Sequence, residues 1–326
     1  MHFRTELNIP PAKQKIDHND TVLLIGSCFS QNISEQLQKY KFKCISNPFG
    51  TVFNPVSISK LIQYTCESKV FGSESLQNSQ GVWVHPDFHS VLSDVDKDIA
   101  LDKINRTIKD VHDLLSDVKY IFITLGTVTA YRQLSDASIV ANCHKIHPTA
   151  FTKETIQPDE GYDKLATALN DLKKMFPQIN IVTTVSPVRH IKDGIIENAR
   201  SKASLLRIVE MLEGNETGIT YFPAYEWVMD DLRDYRFYAA DLIHPNDQAI
   251  DYIWEKFVAH YFGPDTVHLM GKIDRIIQSC SHRPFNAHSD QHQQFILEVK
   301  SQIRELQISF PELNFDQEIA TLQAKK

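Results

Sequence analysis

Thr21-Val22-Leu23-Leu24-Ile25-Gly26-Ser27-Cys28-Phe29-Ser30 is the stretch from which the rest of the chain is read. Residues 21–25 form an apolar run short enough for a strand and apolar enough to be buried on both faces. Gly26 has no Cβ, so the chain can turn sharply there and present Ser27 at the strand's carboxyl end. Residues 29–40 then read as a helix, with Ile33 and Leu37 at helical spacing.

The same strand–turn–helix rhythm continues outward. Phe42 to Ile45 predict a second strand, followed by the loop Asn47-Pro48-Phe49-Gly50-Thr51-Val52-Phe53-Asn54-Pro55 and a helix over 56–67. Residues 72–96 are polar and read as irregular, and a helix follows over 97–115. Tyr120 to Leu125 make the clearest buried strand, ending at Gly126-Thr127. Residues 128–133 and 138–142 can pair as a hairpin. A helix over 160–175, a strand over 179–185 ending at Ser186-Pro187, a helix over 197–213 and a short strand over 219–222 come next. The helix after Pro245 carries Ile250, Ile253, Trp254, Phe257 and Tyr261 on one face. Strands alternating with helices predict an α/β fold with a parallel sheet of about five strands, covered on both sides. Sites in such sheets form outside the carboxyl ends of the strands. Ser27, Gly50, Gly126, Ser186 and the His244 loop all reach that edge. Residues 1–262 are read as the main domain and 263–326 as a helical extension; His282, His288 and His292 within it show no ligand pattern.

Composition narrows the function classes. The 326 residues are 42% hydrophobic and 23% charged, ordinary for a soluble globule. The net charge is −7 and no Lys/Arg block stands out, which argues against a nucleic-acid partner. Met1 to Leu7 lack the apolar region of a signal peptide, and no apolar run approaches a membrane span. Five scattered cysteines form no CxxC pair, so the expectation is reduced thiols in a cytoplasmic protein. Without GxGxxG or a P-loop, no nucleotide cofactor is expected. Oligomeric state is not legible.

Asp241-Leu242-Ile243-His244-Pro245 supplies the chemistry Ser27 lacks. A serine hydroxyl is a poor nucleophile at neutral pH and needs a base. A carboxylate three residues before a histidine can orient the imidazole and leave its other nitrogen free. Ser27, Asp241 and His244 are therefore the candidate triad. The plainer alternative makes Asp241 and His244 the cap of the last helix, with Pro245 at its first position. Cys28 is expected to be buried and inert, because neighbours leaving a strand point to different sides.

These blocks resemble the GSCFA family, a branch of the SGNH (GDSL-like) hydrolases. Gly26-Ser27-Cys28-Phe29-Ser30 is similar to the family's name motif, with serine replacing its final alanine. The likeness continues through Asn47-Pro48-Phe49-Gly50, Ala141-Asn142-Cys143-His144-Lys145, Ser186-Pro187-Val188-Arg189-His190 and Asp241-Leu242-Ile243-His244-Pro245, over roughly residues 20–262. The resemblance implies a flavodoxin-like, three-layer αβα sandwich and ester chemistry. It makes Ser27 the nucleophile, Gly50 a backbone donor to the oxyanion, and Asp241 and His244 the rest of the triad. The chain departs from the pattern at Gly126-Thr127-Val128, where SGNH enzymes carry Gly-x-Asn. The Thr127 hydroxyl or the Asn142 amide is then expected to replace the missing donor.

Other residues carry weaker expectations. His89, Asn142 and His144 are read as substrate-binding groups over the site. Arg189 either clamps an anionic substrate group or sits in an exposed salt bridge. His85, His89, His144 and His190 form no recognisable ligand set, so no metal is expected. The expected activity is hydrolysis of a small-molecule or glycan ester, of acyl-ester or O-acetyl type, through an acyl-enzyme. The alternatives are O-acyl transfer to a sugar hydroxyl by the same triad, and a catalytically silent carbohydrate-binding or scaffold module.

Overall fold

All six residues of β1 (Thr21–Gly26) are buried, and their side chains divide between two cores. Val22 and Leu24 face one side of the sheet, Leu23 and Ile25 the other. The computed structural model describes residues 4–216, 218–282, 285–286 and 289–324. His288 and the opening residues Met1 to Phe3 lie outside the described residues.

After β1 come α1 (Cys28–Lys39), β2 (Lys43–Ser46), α2 (Pro55–Cys66), β3 (Gln77–Ser79), β4 (Val82–Val84), α3 (Lys97–Leu114) and β5 (Val118–Leu125). Then follow β6 (Thr129–Gln133), β7 (Ile139–Val140), β8 (Phe151–Thr155), α4 (Pro158–Met175), β9 (Asn180–Val185), α5 (Ile195–Asn215), β10 (Ile219–Tyr221), the single turn α6 (Ala224–Glu226) and α7 (Asp247–Tyr261). The five-stranded sheet runs β10-β9-β5-β1-β2, with every pair parallel. On one face Leu23, Ile121, Ile123 and Ile181 pack with Ile58, Leu169 and Ile208 of α2, α4 and α5. On the other, Val22, Phe122 and Val182 meet Ile33 of α1 and Ile253 and Phe257 of α7. This is the αβα layering that alternating strands and helices predict.

Two elements differ from the sequence reading. The stretch over 72–96 contains the antiparallel pair β3–β4, too short to show an alternating pattern. The expected hairpin is a three-stranded sheet, β7-β6-β8. Its outer strand, Phe-Thr-Lys-Glu-Thr, has no buried residue and hence no apolar periodicity to betray it.

A buried carboxylate fastens these additions to the main body. Lys60 on α2 donates to Asp87 Oδ1 at 2.7 Å and to the Ile139 carbonyl at 2.6 Å, and the Tyr64 hydroxyl donates to Asp87 Oδ2 at 2.7 Å. Beyond α7 lie α8 (Pro264–Ser281), α9 (Asp290–Ser309) and α10 (Asp316–Ala324), which share an apolar core of their own. Lys41 pairs with Glu318 at 2.7 Å, tying α10 to the end of α1. No helix among the described residues is long and apolar enough to cross a membrane.

Candidate active site

The turn after β1 is built around Gly26. Its φ is +143°, and a Cβ there would fall 2.2 Å from the Thr124 carbonyl oxygen on β5, so both conformation and space demand glycine. The Gly26 N–H donates to Asn47 Oδ1 at 2.8 Å, and the Gly126 N–H donates to the Phe53 carbonyl at 2.8 Å. The loop after β2 is thereby tied to the carboxyl ends of both β1 and β5.

Ser27 follows as the N-cap of α1, and its Oγ accepts a hydrogen bond from the Phe29 N–H at 3.2 Å. The residue is 3% exposed, whereas Cys28 is exposed and lines a cavity of about 830 Å³. The expected burial of Cys28 is thus corrected. A capping serine turns its hydroxyl back onto the helix's own first turn, and the next residue faces outward.

Asp241 and His244 form a short turn of their own. His244 Nδ1 and Asp241 Oδ2 are 2.7 Å apart, while Asp241 Oδ1 accepts the N–H groups of Ile243 at 2.9 Å and His244 at 3.0 Å. These bonds, the His244 imidazole foremost, hold the Asp241 carboxyl down at about 2. Leu242 sits at φ +57°, a left-handed conformation costly for a branched residue, and neighbours hold it there. The Arg189 N–H donates to the Ile243 carbonyl at 3.2 Å and its guanidinium to the Leu242 carbonyl at 3.4 Å. The capping alternative fails, since Asn246 caps α7 through the Ala249 N–H at 3.1 Å and Pro245 precedes the cap.

The charge of His244 acts on His190, which stands near the strand ends. The His190 Nε2 lies 3.1 Å from where a Cβ on Gly126 would stand. Burial, followed by the charges of Lys202 and His244, lowers His190 to about 4, so it is neutral in ordinary buffers. No hydrogen bond joins Ser27 Oγ to His244 Nε2; Ser27 Oγ is engaged by its own helix.

The proposed oxyanion donors are rearranged. The Gly50 N–H is committed to the Asn47 carbonyl at 2.8 Å and the Ser27 N–H to the Thr124 carbonyl at 3.2 Å. Gly50 is required instead for its φ of +77° and for contact with His89, where a Cβ would fall 2.2 Å from His89 Cβ. Thr127 is 5% exposed and its hydroxyl meets Ser201 Oγ at 2.9 Å, beneath the edge rather than in the cavity. Asn142 does line the cavity; its Oδ1 accepts the His144 N–H at 2.8 Å, leaving the amide NH₂ to face other groups.

His89 lines the cavity too, whereas His144 does not. His144 is buried, with its Nε2 2.9 Å from the His85 carbonyl, a contact that ties the two loops together. Arg189 forms no salt bridge among the described residues. Its guanidinium stacks on Tyr238 at 4.1 Å and Tyr235 at 4.9 Å, which makes it a brace for the His244 turn. No group of three or more His, Cys, Asp or Glu side chains among the described residues is arranged to hold a metal ion.

The profile of the GSCFA family matches residues 21–257. The chain belongs to the GSCFA family. A second profile, the C-terminal domain of GSCFA domain proteins, matches residues 273–325. No curated protein matches the chain significantly in sequence. Among solved structures, a carbohydrate esterase family 3 from Talaromyces cellulolyticus is 7% identical, with 77% of this chain and 98% of the other covered at a TM-score of 0.35. A family two carbohydrate esterase from Clostridium thermocellum, in complex with cellohexaose, is 8% identical, with coverages of 82% and 67% and a TM-score of 0.37. An acetyl xylan esterase from the rumen bacterium Butyrivibrio proteoclasticus is 9% identical, with coverages of 77% and 64% and a TM-score of 0.37. Likenesses this distant assign no activity to the chain.

Within the GSCFA edge, one residue escaped the sequence reading altogether. Lys202 on α5 is 1% exposed, and its Nζ donates to the carbonyls of Gly126 and Ser186, each at 2.7 Å. Those carbonyls terminate β5 and β9. Burial lowers the amine to about 7. Its signal was present in the sequence: Lys202 stands in line with Leu205, Val209 and Leu212, on the apolar stripe of α5, where a lysine is out of place.

Proposed function

We propose that the chain is a serine hydrolase of SGNH type acting on an ester. The observation that carries this reading is the His244–Asp241 pair at 2.7 Å, held on a braced turn at the edge where the β1 serine turn lies. Asp241 fixes the imidazole tautomer with the proton on Nδ1, and Nε2 is then the basic nitrogen that takes the Ser27 proton. Ser27 attacks the ester carbonyl, the alcohol leaves with a proton from His244, and water releases the acid from the acyl-enzyme. In the resting state Ser27 Oγ accepts from the Phe29 N–H, and the proposed reaction requires the hydroxyl to turn from this cap to His244. Such catalytic contacts commonly tighten only when substrate binds.

A second reading has one observation behind it: Cys28, not Ser27, is among the residues that line the cavity. A fluorophosphonate probe followed by peptide mapping separates the two. We expect one adduct, on Ser27, lost in His244→Ala. An unlabelled protein whose ester turnover disappears with iodoacetamide or in Cys28→Ala would move the nucleophile to the thiol.

Asn142 is the side chain proposed to complete the oxyanion hole. Asn142→Ala should lower the maximal rate by ~10- to 1000-fold with a much smaller change in KM. Thr127→Val should stay within a few-fold of the parent rate, because its hydroxyl is spent on Ser201. The reverse ranking in steady-state kinetics would return the role to Thr127.

A further inference from the structure

The cavity beside Cys28 carries an uneven charge. Its walls are apolar or aromatic on Phe53, Tyr131, Ile146 and Phe151, and its ionisable groups include the ammonium groups of Lys153 and Lys192. Among the described residues no Asp or Glu lines it, in a chain with 41 acidic and 34 basic residues. Lys153, on β8, is paired with Asp193, which is not a lining residue. Lys192 has no ion pair among the described residues. Burial pushes the thiol of Cys143, also on the wall, up, and the nearby Lys192 charge offsets part of that rise. One uncommitted cation, itself exposed to solvent, therefore lines a concave, largely apolar surface.

A solvated lysine on a flat surface attracts an anion weakly. The same charge over low-dielectric walls acts on a bound group with less screening. A single ammonium balances a single negative charge. A dianion such as a phosphate monoester would enter with one charge unmatched against apolar walls, which is costly. Arg189, another cation near the edge, is occupied by Tyr235, Tyr238 and the Leu242 carbonyl and does not line this space.

We propose that this cavity receives the non-reacting arm of the ester and selects a monocarboxylate on it through Lys192. The inference rests on the hydrolase reading above, and its test separates the two. Two matched pairs of esters place the charge on either arm. 4-Acetoxybenzoate against 4-acetoxybenzamide places it on the alcohol, and 4-nitrophenyl hemisuccinate against 4-nitrophenyl succinamate places it on the acyl group. Each enzymatic kcat/KM is divided by the hydroxide-catalysed rate of the same ester. In one pair the anion should be preferred by about 10-fold at low ionic strength, and the preference should fall with added salt. In Lys192→Gln it should collapse towards unity. Equal use of both members in both pairs, or a preference that survives Lys192→Gln, would overturn the proposal while leaving the hydrolase intact. Absence of turnover for all four esters would instead remove the hydrolase. The cavity is then read by calorimetric titration of 4-hydroxybenzoate against 4-hydroxybenzamide: tighter carboxylate binding lost in Lys192→Gln supports the site, and equal affinities sink it.

Discussion

Ser27→Ala is expected to lower the maximal rate of 4-nitrophenyl acetate hydrolysis by about 10⁴- to 10⁶-fold, the cost of removing the serine from a working triad. The structure adds a stability effect that the sequence did not foresee. Ser27 Oγ caps α1 by accepting the Phe29 N–H, so alanine also removes a helix cap, worth about 1 kcal/mol. For a domain of this size that corresponds to a fall of roughly 2–4 °C in thermal midpoint. Glycine at an N-cap costs only a few tenths of a kcal/mol, so Ser27→Gly should be as inactive as alanine yet nearly as stable as the parent. Activity by titrimetric ester assay and midpoint by calorimetry separate the two roles. If Ser27→Gly keeps a tenth or more of the parent rate, the hydroxyl does no more than cap the helix.

Lys202→Met is expected to have the largest effect on stability. The substitution keeps the length of the chain and removes the donors that satisfy the Gly126 and Ser186 carbonyls. Each buried, unsatisfied carbonyl costs about 1–3 kcal/mol. Against that stands the relief of no longer burying an amine. At neutral pH the amine, lowered to about 7, is close to half deprotonated, and its neutral form still has two N–H donors for two carbonyls. The relief is therefore partial, and a net loss of roughly 2–4 kcal/mol is expected. The two strand ends at the site should also loosen, lowering ester turnover. The pH dependence gives a separate readout. Between about 7 and the ordinary lysine value of 10.5, the unfolded chain carries a proton the folded chain has lost. Stability from this residue therefore rises as pH rises through that window, and it is least below pH 7. Denaturant unfolding from pH 6 to 10 should show the rise in the parent and its absence in Lys202→Met. Equal slopes in the two proteins would mean that Lys202 is not the titrating group.

The sheet was legible because its strands announce themselves locally. Val22 to Ile25, Tyr120 to Leu125 and Ile181 to Val185 are largely apolar runs, and each lies in a buried strand of the central sheet. Strands buried on both faces admit few other residues, so their pattern survives in the sequence. β8 and the β3–β4 pair stayed hidden, because short strands with little buried surface carry no such constraint.

By itself the sequence determined the αβα layering, the His244–Asp241 pair and the glycine turn before Ser27. Each is decided within a few residues, by burial, by a three-residue spacing or by a missing Cβ. Only the tertiary structure decided that Cys28 rather than Ser27 lines the cavity and that the Gly50, Ser27 and Thr127 donors are already spent. It also decided that Arg189 braces the turn and that His144 holds a loop. A polar group's role depends on which partner stands within about 3 Å. For Thr127, Arg189 and His144 those partners come from segments far away in the chain, whereas Ser27 Oγ and the Gly50 N–H are taken by Phe29 and Asn47, near neighbours brought round by the local turn. Lys202 is the extreme case, an amine on one helix that joins the ends of two strands 60 residues apart, Gly126 and Ser186.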